Sequence, residues 1–223
     1  MILINSIILI RDSREGRMKK KTTRVPRQIR SIETKNSIKK AALRLFGEKG
    51  IHSTNSNEIA KEAGASVGSF YAYFHDKHML LLDILKDYLD EFIKIVWQNS
   101  FDESSPRLPL KDQIKKILTK VFIAYSKLPM FHQETHALRY SDRDVKIIFE
   151  NERQLEVEQI KKIIAAYKDL IRVSDIDAAA IVLHGAAESA AHAIMFGNVP
   201  IEKNRLINEL TNMFYTYLTQ GES

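Results

Sequence analysis

Between Asn55 and Phe74 the chain reads NSNEIAKEAGASVGSFYAYF, two short segments of helical spacing parted by a turn of only a few residues around Gly64 and Ala65. In the first, Asn55 and Glu58 have the N-cap and N3 spacing of a capping box. Ile59, Ala60 and Ala63 then face one way, and Gly64 stops the helix. Ser66 caps the second. Two helices joined by so tight a turn must cross steeply, which is a helix-turn-helix.

Helical period continues on both sides. Upstream, Ile38, Ala41, Ala42, Leu45 and Phe46 share a face, and Gly50 is placed to end that helix. Downstream, a long helix is expected from about Lys77 to Asn99, broken by SSPRLP at 104–109. Ile114, Ile117, Leu118, Val121, Phe122 and Tyr125 make the next stripe, which Pro129 is expected to end. A polar helix follows over about Asp142 to Leu170, then one capped by Ser174, and a last one from Pro200. No alternating apolar and polar run bounded by turns is present, so no strand is expected. The fold class is all-α, with about nine helices.

On a helical wheel Phe70 and Phe74 fall together and point inward, while Gly68 and Ala72 lie opposite, flanked by Ser69 and Tyr71. Aromatics at helical spacing are usually core, but Tyr71 and Tyr73 flank the inward pair rather than join it. The outward face is therefore small and edged by hydroxyls. Such a helix can enter a major groove and donate to phosphates or base edges, with its first-turn amides toward the backbone.

Charge points the same way. The 223 residues carry a net +6. Residues 1–40 hold twelve Lys or Arg against three Asp or Glu, a net of +9, so the remaining residues carry −3. A basic arm ahead of a nearly neutral body favours a polyanion. The apolar start, MILINSIILI, is too short to span a bilayer, and an interfacial anchor is the rival reading to an upstream extension. Met18 opens MKKKTTRVPRQ like a natural start, so residues 1–17 are expected to be an upstream extension. The absence of cysteine excludes a disulfide framework and fits a reducing, cytoplasmic setting.

The stretch IKKAALRLFGEKGIHS followed by TNSNEIAKEAGASVGSFYAYFHDKHMLL resembles the N-terminal DNA-binding domain of the TetR/AcrR transcriptional regulators. The shared features are Leu45-Phe46 with Gly50, Ile59-Ala60, Ala63-Gly64, the run Phe70-Tyr71-x-Tyr73-Phe74, and Lys77. The likeness covers about residues 32–92. It implies three parts: a basic extension over 1–31, a DNA-binding domain over 32–92 with its helix-turn-helix at about 55–74, and an effector-binding and dimerisation domain over 93–223. It further implies a homodimer joined through the last two helices, a palindromic double-stranded DNA operator, and a repressor released by a small-molecule effector. No membrane partner and no cofactor are expected.

Residue by residue, the resemblance implies that Asn55, Ser56 and Asn57 touch DNA at the start of the second helix. Ser66, Val67, Gly68 and Ser69 open the recognition helix, and Tyr71 and Ala72 form its groove-facing middle. Tyr73 and Lys77 reach phosphates. Val67 departs from the polar or basic residue common there; it cannot hydrogen-bond a base but can meet a thymine methyl. Base readout is then sparse, with help from the arm and from DNA shape.

In the body, Ala178, Ala179, Gly185, Ala186, Ala190 and Ala193 permit close helix approach, and the last helix offers Leu206, Leu210 and Phe214. Candidate pocket walls are Trp97, Phe122, Tyr125, Phe131, Tyr140 and Phe149, with His136, His184 and Glu188 as polar lining. His132 and His136 are four apart, and His184, Glu188 and His192 share a face, a pattern that can bind zinc. Nothing in the sequence brings the two groups together, so no metal site is expected. No nucleophile motif, phosphate loop or metalloprotease spacing appears, and HQETH at 132–136 is not HExxH, so no enzyme is expected. An architectural DNA binder without ligand response is the alternative.

Overall fold

The computed structural model describes residues 29–98, 100, 108–197 and 199–220. The 1–17 extension and the basic arm as far as residue 28 lie outside the described residues. Among the described residues there are nine helices and no strand. They are α1 Ile29–Lys49, α2 Ser56–Glu62, α3 Val67–Tyr73, α4 Lys77–Trp97, α5 Leu110–Tyr125, α6 Pro129–Leu138, α7 Arg143–Ala166, α8 Ile176–Phe196 and α9 Lys203–Thr219.

Local chemistry sets the first three boundaries. Gly50 (φ +88°) and Gly64 (φ +64°) turn the chain after α1 and α2 in the left-handed region. The Asn55–Glu58 capping box is formed in both directions, with Glu58 N donating to Asn55 Oδ1 at 3.0 Å and Asn55 N to Glu58 Oε2 at 3.1 Å. Ser66 Oγ accepts from Ser69 N at 3.0 Å and so caps α3.

Four boundaries differ from expectation. Pro129 does not merely end α5; it opens a further helix, α6, as its first helical residue, where its missing N–H costs nothing. Asp175, not Ser174, caps α8, its carboxylate accepting from Ala178 N at 2.9 Å. The polar helix stops at Ala166 rather than Leu170, and the last helix begins at Lys203 rather than Pro200.

Two apolar clusters form. The head cluster holds Ile38, Ala42, Phe46, Ile59, Phe70 and Phe74 and follows α4 to Leu89. The body cluster begins on the same helix at Phe92 and continues through α5, α7, α8 and α9. The head cluster is completed from the body side by Phe131 of α6 and by Val145 and Phe149 of α7. Phe131 stacks on Phe46 with ring centroids 6.4 Å apart. Glu134 Oε2 accepts from Ile51 N at 2.6 Å, and a Cβ at Gly50 would lie 2.8 Å from Glu134 Oε1. His78 Nε2 and Asp142 Oδ2 add a further link at 2.8 Å. Helix α6 is thus the point at which the body grips the first turn of the head.

Candidate nucleic-acid interface and body cavity

Helix α3 is divided as its wheel predicts. Phe70 is fully buried, whereas Val67 is 42% and Tyr71 52% exposed, with Gly68 and Ala72 also at the surface. Ser66 and Ser69 are partly committed to each other, their Oγ atoms 2.8 Å apart. On α2, the Asn55 side chain is the cap, Ser56 is half-buried and Asn57 is exposed. Asn57, Val67, Gly68, Tyr71 and Ala72 therefore share one accessible face of the α2–α3 pair.

Two residues expected at phosphates also make hydrogen bonds within the protein. Tyr73 Oη lies 2.8 Å from Ser31 Oγ, tying α3 to the start of α1. Lys77 Nζ donates to the carbonyls of Ile51 at 2.6 Å and Thr54 at 2.7 Å, closing the turn between α1 and α2. Burial lowers the Lys77 pKa. Replacing Lys77 by Met is accordingly expected to cost about 1.5–3 kcal/mol of stability, the range for hydrogen bonds to a charged group. It should leave the salt dependence of DNA binding unaltered. A denaturant melt and a salt titration check both halves; a slope flattened by about one would restore the phosphate contact.

These features have counterparts elsewhere. Residues 38–84 match the family model described as bacterial regulatory proteins, tetR family. The chain carries a TetR-family DNA-binding head. Among curated relatives, the chain is 39% identical over 82 residues to an uncharacterized HTH-type transcriptional regulator, YuxN, of Bacillus subtilis; this covers 37% of the chain and 28% of the relative. The fatty acid metabolism regulator protein of Bacillus subtilis is 26% identical over 136 residues, 60% of the chain and 61% of the relative. The chain thus spans less than two thirds of either relative. Solved structures extend the likeness past the TetR-type head, as a matter of fold. A TetR-family regulator from Mesorhizobium loti superposes with a TM-score of 0.66 at 19% identity, covering 84% of this chain and 97% of that one. The fatty acid degradation regulator FadR of Bacillus halodurans gives 0.62 at 17%, covering 82% and 94%.

The body behind the TetR-type head contains a partly open cavity of about 80 Å³. Of the expected pocket residues, Trp97, Tyr125, His184 and Glu188 line it, together with Phe92, Leu183 and Glu156. The others do not. Phe122 is wholly core. Phe131 and Phe149 belong to the head cluster. Tyr140, just past α6, is 76% exposed beside the Arg139 guanidinium. His136 faces α8 beside the cavity. The Trp97 indole N–H is buried and has no hydrogen-bond partner among the described residues.

Between α6, α7 and α8 lies a polar network that sequence reasoning only partly found. His184 Nε2 meets Glu156 Oε2 at 2.8 Å. His136 Nε2 lies 3.2 Å from Glu188 Oε1, to which Arg139 Nη1 also donates at 3.3 Å. His132 Nε2 and His192 Nε2 are 2.9 Å apart. Arg139, Glu152 and Glu156 were not anticipated. For the two acids the signal is spacing: Val145, Phe149, Glu152, Glu156 and Ile163 follow one helical stripe, on which Glu156 is buried and Glu152 half-buried.

Burial sets the charges of this network. It pushes Glu152 well above the carboxylate range, helped by the charges of Glu156 and Glu188. It also opposes ionisation of Glu188, but the His136 hydrogen bond and the charges of His184 and Arg139 outweigh it, bringing Glu188 to about 2. In His184 the burial that disfavours charge is outweighed by Glu156, so the pKa rises. Burial, reinforced by neighbouring imidazoles, takes His132 down to about 3 and His192 to about 4.

A lowered histidine means that the unfolded chain binds protons first. The contribution of His132 and His192 is intact above about 6.5 and is lost as pH falls toward 3–4, at about 1.4 kcal/mol per pH unit for each. Glu152 and His184 act in the opposite sense, so the ring resonances are the clean reading. Imidazole nitrogen NMR at pH 5 is expected to show both rings neutral; protonated rings there would refute the assignment.

Proposed function

We propose that the chain is a homodimeric, sequence-specific transcription regulator of the cytoplasm, most simply a repressor released from a palindromic operator by a small molecule. The observation that carries this is the split α3, with Phe70 locking the helix to the head while Val67, Gly68, Tyr71 and Ala72 present a shallow outward face. Small residues at Gly68 and Ala72 let the helix sit deep in a major groove, with Tyr71 at the edge reaching phosphate or base and Val67 a thymine methyl.

The dimer follows from surface chemistry. Ile181 and Val182 of α8 are each 57% exposed, and Met213 and Tyr217 of α9 are 50% and 41% exposed. By length and composition, α8 is the one helix among the described residues that could cross a membrane, at mean hydropathy 1.3. Its Glu188 is held by Arg139 and its His184 by Glu156, and its outward apolar residues suit a second copy.

The effector reading rests on the cavity. Its walls are apolar, and the Trp97 N–H, without a partner among the described residues, calls for an acceptor. Two relatives are named for fatty acids, yet Glu156 and Glu188 put negative charge where a fatty acid would bring its own. An apolar molecule with a neutral or cationic end fits better.

Selection from random duplexes with the full chain tests the proposal. One enriched palindrome is expected, its half-sites a whole number of helical turns apart, with the Tyr71→Ala and Val67→Ser variants altering the selected bases. A footprint that coats DNA without a motif would establish the architectural alternative.

A further inference from the structure

DNA binding makes no use of the histidines between α6 and α8. His132 and His136 stand one turn apart on α6, and Glu188 and His192 one turn apart on α8, so each pair projects from a single face. Packing brings the pairs together. His132 Nε2 meets His192 Nε2 at 2.9 Å, and His136 Nε2 meets Glu188 Oε1 at 3.2 Å. The ligand atoms of His136, Glu188 and His192 all lie within 4.8 Å of one another. We propose that His132, His136, Glu188 and His192 form a site for a divalent transition-metal ion of the zinc class, bound by three imidazole nitrogens and one carboxylate oxygen.

The donor set and spacing fit. Ligand bonds of 2.0–2.2 Å place tetrahedral donors about 3.3 Å apart. The His132–His192 and His136–Glu188 contacts already have about that separation, and the donor atoms of His136, Glu188 and His192, all within 4.8 Å of one another, need draw together by no more than about 1.5 Å. Two imidazole nitrogens facing each other can share only one proton, whereas an ion between them takes both lone pairs. Imidazole with one carboxylate suits zinc, cobalt or nickel better than magnesium or calcium. The Tyr125, Phe149 and Phe196 rings pack around the histidines at centroid separations of 5.1–5.8 Å. Arg139 is the cation beside the site; it sits on the Glu188 carboxylate, while Glu152 and Glu156 supply acid groups from α7.

The site also has a route to the head. The same short helix carries Phe131 on Phe46 and Glu134 on Ile51 N. Gathering four ligands draws α6 toward α8, and these two contacts pass the movement to the α1–α2 turn. Use of the site as a trigger rests on the regulatory reading above; the site itself does not.

Cobalt(II) is the probe, added to chelator-treated full-length protein. One ion per chain is expected, with the strong visible bands of a tetrahedral site, displaced by zinc. Metal-affinity losses of 10–100-fold follow removal of an outer-shell partner, so loss of a ligand in His136→Gln or His192→Gln should cost at least about 100-fold. Zinc should raise the melting temperature of the parent chain and not of these variants, whose metal-free circular dichroism reports that they fold. No saturable uptake, or uptake unchanged in both variants, would overturn the site. Operator affinity with and without zinc tests the trigger separately: a zinc effect present in the parent and absent in the variants supports it, and equal affinities remove it while leaving the site.

Discussion

Phe70→Ala should abolish DNA binding by unfolding the head. Its ring is wholly buried and meets Phe74 at a centroid distance of 6.0 Å, inside the cluster that joins α1, α2 and α4. Truncating a buried phenylalanine costs about 3–5 kcal/mol, a large share of the stability of a typical domain. Tyr71→Ala, one residue on and facing outward, is the matched control. It should change stability by no more than about 0.5 kcal/mol and still impair operator binding. Denaturant midpoints and binding isotherms for the two variants separate core from readout. Equal loss of stability in both would mean that α3 is not divided into an inward and an outward face.

Comparable in size is the response to charge on α8. In the Ile181→Glu, Val182→Glu double variant both substitutions fall on side chains that are 57% exposed, so the protomer fold should be untouched. In the proposed dimer, two glutamates facing their own symmetry copies would put like charges in an apolar contact, a cost of several kcal/mol. Sedimentation is expected to show a monomer, and operator affinity should fall by more than about 100-fold as the second half-site is no longer tethered. A double variant that stays dimeric would move the dimer contact elsewhere on the surface.

Fold class and head were legible because their determinants are local. A capping box is a matter of spacing three, a left-handed glycine needs no partner, and the wheel of α3 depends only on helical pitch. Each of these signals survives without knowledge of any distant residue, and Asn55, Gly64, Ser66 and Phe70 stand where their spacing predicts. Helix α6 was missed because Pro129 has two meanings: the same ring that forbids continuation also favours a first turn. Which one applies depends on whether the following residues find packing partners. Phe131 finds Phe46 and Tyr88, far away in the chain.

Pairing is what the sequence could not supply. For Lys77 the family resemblance implies a phosphate, and only the tertiary structure shows that its ammonium also closes on the Ile51 and Thr54 carbonyls. His132–His136 and Glu188–His192 are each visible as one-turn pairs, but their meeting requires α6 to lie on α8 after an intervening helix and two loops. The sequence by itself determined the periodic faces, the caps and turns, and the charge imbalance between arm and body, since each of these is a sum over near neighbours. The tertiary structure alone decided which buried polar group meets which. That choice depends on where rigid helices come to rest, and the apolar clusters that position them are indifferent to the order in which their members appear along the chain.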